Sequence, residues 1–172
     1  MREDGFEALA DGTLLLTALL VASGVVLALA RPPLAADPAD GLRYAEDVRL
    51  ALFRTTIDGL GHRTAEGFAA MPNGTTVETF LRAQVHLRAS GVPAAAFREA
   101  NARIADVAAR LVRPGWGVAV TGRLVGGDDL VQIPEGVAIP ATYDGSGWTY
   151  PSIDGSPADA RLAVAVWPTP PR

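Results

Sequence analysis

GTLLLTALLVASGVVLALA, residues Gly12–Ala30, runs without a charge between Asp11 and Arg31. As a helix rising about 1.5 Å per residue it reaches roughly 28 Å, close to a bilayer's hydrocarbon thickness. The run has no polar face. That argues against a buried core helix of a soluble protein and predicts a membrane-spanning helix. The flanks argue against a cleaved secretory signal. Met1–Asp11, MREDGFEALAD, sets Arg2 and the amino terminus against Glu3, Asp4, Glu7 and Asp11, where a signal carries a positive region. Ala28-Leu29-Ala30 offers a cleavage pattern, but Arg31-Pro32-Pro33 follows it directly.

Outward from this run, Arg31–Asp40 (RPPLAADPAD) holds three prolines and is predicted to be an extended connector. Flanking charge sets no orientation, since Arg2 and the amine precede the run and Arg31 and Arg43 follow it. The larger part is expected outside the membrane, because the span is N-terminal and the sequon Asn73-Gly74-Thr75 lies beyond it. Asn73 is the candidate glycosylation site.

Composition narrows the function classes. The net charge of −4 and pI near 5.1 argue against nucleic acid as a partner. All fifteen cations are arginine, which fits GC-rich codon usage and carries no functional weight. The lack of cysteine excludes disulfides, thiolate metal sites, cysteine nucleophiles and lipidation at cysteine.

Four helical patterns follow the connector. Gly41–Leu60 places Tyr44, Val48, Leu52, Phe53, Ile57 and Leu60 on one stripe. His62–Ala70 reads as a short helix around Phe68. A turn at Met71–Thr76 leads to a helix from Thr76 to about Ala89, with Thr75-x-x-Glu78 as its capping box. Ala94–Val112 carries Phe97, Ile104, Val107, Ala108 and Leu111 on one face. The periodicity then changes. Trp116–Leu124 alternates as a strand, and further strands are predicted at Leu130–Ile133, Val137–Tyr143, Trp148–Ile153 and Ala160–Trp167. Gly126–Asp129 and Asp144–Gly147 read as turns. The expected fold class is α+β: an N-terminal transmembrane helix, then amphipathic helices (41–112) packed on a small C-terminal antiparallel sheet (116–167). Residues 41–172 make up the extracytoplasmic domain.

Chemical motifs are sparse. His62 and His86 lack zinc-site spacing and read as solvent-facing or capping residues. Asp128-Asp129 reads as a polar hairpin tip ahead of a cation site. Gly145-Ser146-Gly147 lacks the nucleophile-elbow context. Tyr143, Trp148 and Tyr150 cluster late; they read first as cross-strand core pairs and second as a surface for a sugar or partner. No catalytic, cofactor-binding or metal residue is expected, and no enzymatic activity.

Gly5-Phe6 followed by the apolar run, then helices, then a late sheet, resembles the layout of type IV pilins and pseudopilins. It is similar to archaeal pilin-like surface proteins. The resemblance implies cleavage after Gly5, with Phe6 as the new first residue. It also implies an acid that pairs with a neighbouring subunit's amine. Asp11 is the candidate, at the sixth mature position where the family has the fifth. The function implied is that of a single-pass, membrane-anchored subunit acting by self-assembly or surface attachment. Its partners would be the lipid bilayer and other pilin-like subunits. The alternative is a signal-anchored surface protein that binds a partner or glycan through its C-terminal sheet.

Overall fold

The first described helix, α1 (Pro38–Arg54), opens on proline, whose fixed φ suits a first turn and whose missing N–H has no partner to lose there. The structure is a computed structural model that describes residues 38–152 and 158–170, all within the unit beginning at Pro38. The expected spanning helix at 12–30 and the flank at 1–11 lie outside the described residues.

Ala45, Val48, Leu52 and Phe53 form the buried stripe of α1. The helix stops at Arg54, short of the expected Leu60, and Thr55 closes it by donating from Oγ1 to Ala51 O at 2.8 Å. Thr56 then bridges to Thr76, and Leu60 is buried from irregular backbone. The second helix, α2 (Val77–Ala89), is capped by Thr76, whose Oγ1 accepts from Thr79 N at 3.2 Å. Thr75 does not cap; its hydroxyl donates to Pro72 O. A 3₁₀ turn at Ala94–Phe97 leads into α3 (Arg98–Leu111), which buries Ala100, Ile104 and Ala108.

Two antiparallel sheets stand where one was expected. Residues 62–70 are not helical: β1 (Gly61–Thr64) and β2 (Gly67–Ala70) form a hairpin. Nine residues with one large apolar side chain cannot set a helical stripe, and Gly67 turns the chain at φ 138°. The larger sheet joins β3 (Trp116–Leu124), β4 (Asp129–Ile133), β5 (Asp144–Tyr150) and β6 (Ala160–Pro168) in the order β4-β3-β6-β5. Every pairing in it is antiparallel. Val137–Tyr143 forms no strand, and β5 instead begins in the predicted turn at Asp144.

The helices cover one face of the larger sheet. Leu52, Phe80, Leu81, Val85 and Ile104 share a core with Val120, Ile133, Leu162 and Val164. Each such side chain contributes about 1.5–3 kcal/mol on burial. Tyr44 locks α1 to the start of β3: its ring meets Trp116 edge-on at 5.1 Å, and its hydroxyl accepts from Arg113 N at 2.7 Å. Among the described residues no helix is long and apolar enough to cross a membrane, because each carries a charged outer face. The expected fold class is therefore corrected to α+β with amphipathic helices, a small hairpin sheet and a four-stranded antiparallel sheet.

Candidate functional site

Strand alternation sends every second residue of the larger sheet away from the helices. On β3 and β6 the register makes this second face a series of pairs: Gly117 with Trp167, Ala119 with Ala165, Thr121 with Ala163, and Arg123 with Arg161. β4 adds Gln132 beside Thr121 and Asp129 beside Arg123, with an irregularity at Gly122/Arg123. β5 adds Gly145 beside Ala165, Gly147 beside Ala163 and Thr149 beside Arg161. The face is therefore graded, apolar at the Trp167 end, floored by small residues in the middle and charged at the other end.

The segment after β4 covers only the apolar end. Val137 and Ile139 pack on Ala119, Ala165 and Trp167. Gln132 Nε2 holds this segment by donating to Val137 O at 2.6 Å. Tyr143 lies along β5, and a Cβ on Gly145 would stand 2.8 Å from its ring. Glycine there is what lets the aromatic ring settle on the strand. Tyr143 remains 53% exposed.

A cleft remains over the charged end. A cavity of about 160 Å³ is lined by Thr121, Arg123, Asp129, Tyr143, Arg161 and Ala163. It adjoins a longer groove of about 420 Å³ running past Gly147 and Gly145 to Ile139 and Leu42. Like charges directly opposite on neighbouring strands destabilise a sheet. Arg123 and Arg161 are so placed, and neither belongs to the ion pairs among the described residues, which use Arg49, Arg63 and Arg103.

A second polar cluster sits on the helix side of β5. Arg49 is only 7% exposed, with Nε donating to Ser146 Oγ at 2.9 Å. Its guanidinium lies 5.9 Å from the Trp148 ring and 6.0 Å from that of Phe53. Arg82 stands 5.0 Å over Tyr150. Burial, then the charge of Glu78, raises the Tyr150 phenol above its ordinary pKa, with Arg49 opposing. This cluster reads as the seam between α1, α2 and β5.

The residues singled out from the sequence divide differently in space. Tyr143, Trp148 and Tyr150 do not form one cluster: Tyr143 serves the cleft, whereas Trp148 and Tyr150 belong to the seam. Ser146 accepts from Arg49 Nε and lies within a strand, not a turn. Asp129 reaches the cleft. His62 stacks on Phe97 at 5.3 Å, and His86 lies in α2. Among the described residues no group of three or more histidines and carboxylates could hold a metal. Asn73 is exposed on the turn before α2. Gly5, Phe6 and Asp11 lie outside the described residues. Arg123 and Arg161 are not legible as a pair in the sequence, because only the register of β3 on β6 brings them together.

No family model matches this chain, and neither does any curated protein or solved structure.

Proposed function

We propose that this chain is a surface-attached binding protein whose cleft over Thr121, Ala163 and Gly147 takes a glycan. The apolar residues 12–30 hold it at a lipid bilayer. The reading rests on one observation: a small concave site that sets an exposed aromatic ring beside hydroxyl, carboxylate and guanidinium groups over a floor almost free of side chains. A sugar ring offers an apolar face and a rim of hydroxyls, which suits such a site. A protein partner is a poorer fit. Stable protein interfaces bury about 800 Å² on each side around an apolar centre, and this cleft is small, with its charged groups at one end.

The test uses the full chain in detergent micelles on an array of neutral and acidic glycans, beside Ala163→Phe, which fills the floor. Binding that the variant loses, with its circular dichroism unchanged, is the expected result. Binding that survives the substitution overturns the reading. Self-assembly in the manner of pilins is the competing function; it requires native protein to begin at Phe6, which intact-mass measurement reads.

A further inference from the structure

We infer that the sugar in this cleft carries a carboxylate, and that Arg123 and Arg161 grip it together. The inference deepens the glycan-binding reading and rests on it. Three features of the same few residues converge on an acidic sugar.

The first is like charge placed side by side. Arg123 and Arg161 are cross-strand partners at the centre of the sheet, on β3 and β6. Neither forms an ion pair with a described residue. Their mutual repulsion is a cost that an anion between them would remove. Guanidinium groups offer planar, paired donors that match a carboxylate.

The second is the sign of the remainder. Asp129 lines the same cavity and stands opposite Arg123. Two guanidinium groups and one carboxylate leave a single positive charge, which a monoanion neutralises. A phosphate monoester, at about −1.5 to −2, exceeds that single charge, and the chain's net charge of −4 disfavours a dense polyanion. Ionised, Asp129 only accepts hydrogen bonds. It therefore asks for a donor, and a ring hydroxyl next to the carboxylate supplies one.

The third is shape. The cavity of about 160 Å³ opens sideways into the groove of about 420 Å³ along β5. A chain of such sugars continues past Gly147 toward Gly145, over which the Tyr143 ring lies. Tyr143 lines both compartments. The ligand class is thus a uronate-bearing oligosaccharide.

Calorimetry of the full chain in detergent tests this with tri-galacturonate and the methyl ester of the same trimer. The expected result is binding of the acid, at least tenfold weaker binding of the ester, and at least tenfold loss of the acid on Arg161→Gln. Arg161 is exposed, so this substitution leaves the core intact. Trp148→Ala, on the other side of the sheet, is expected to bind as the parent does. Equal binding of acid and ester overturns the carboxylate inference while leaving a glycan site. Acid binding that persists in Arg161→Gln overturns the assigned grip. Failure of both trimers overturns the uronate assignment, and the array with Ala163→Phe then reports separately on the glycan reading.

Discussion

Arg49 on α1 donates from Nε to the hydroxyl of Ser146 on β5, 2.9 Å away and 97 residues later in the chain. The bond joins the first described helix to an edge strand otherwise held on one side only, by β6. Hydrogen bonds to charged groups contribute about 1.5–3 kcal/mol. Arg49→Ala, which loses the bond and its packing on Phe53 and Trp148, is expected to lower stability by about 2–3 kcal/mol. Arg49→Met keeps most of the volume and is expected to lose about half as much. Urea unfolding midpoints of the two variants check the ordering.

Gly117 and Trp167 form a second close pair. A Cβ on Gly117 would stand 2.5–2.8 Å from the indole ring. Gly117→Ala is expected to cost about 1–3 kcal/mol, as overpacking does. Adding Trp167→Leu to it removes the clash, so the double variant is expected to lose less than the two single losses summed. A urea double-mutant cycle measures the difference.

The cap of α2 separates two adjacent threonines. Thr76→Ala removes the Oγ1 acceptor of Thr79 N and is expected to cost about 1 kcal/mol. Thr75→Ala removes only a bond within the preceding turn and is expected to stay within about 0.5 kcal/mol. Equal losses in urea unfolding would return the cap to Thr75.

His86 makes stability depend on pH. Burial, reinforced by Arg82, holds its pKa below the ordinary 6.5. On acidification the unfolded chain therefore takes up the proton first. The stabilisation is full above pH 6.5 and declines as pH falls toward the folded-state pKa. His86→Gln is expected to flatten the melting temperature between pH 7 and pH 5 relative to the parent. Parallel curves would remove His86 as the cause.

Local pattern made some of this legible. Trp116–Leu124 alternates because one face meets the helices, and the stripes of α1 and α3 follow the same core. β5 is hidden because Asp144-Gly145-Ser146-Gly147 has the composition of a turn. It becomes a strand because β6 supplies a ladder and Tyr143 needs the space above Gly145. Val137–Tyr143 has strand-like composition but covers Trp167 through side chains, without ladder pairing. The cleft was the least legible part. Nothing in the local pattern joins Arg123 to Arg161, and a shift of one position in register would separate them.

The strand order carries a consequence for synthesis. β6 lies between β3 and β5, yet it is the last of the described strands along the chain. Until Ala160–Pro168 has emerged from the ribosome, the only ladder this sheet can form is the β3–β4 hairpin. The apolar stripes of α1, α2 and α3 therefore lack β6 as a partner until those residues have been made. Those nine residues join β5 to β3 and set Arg161 beside Arg123, so both the four-stranded sheet and the cleft depend on the last strand described.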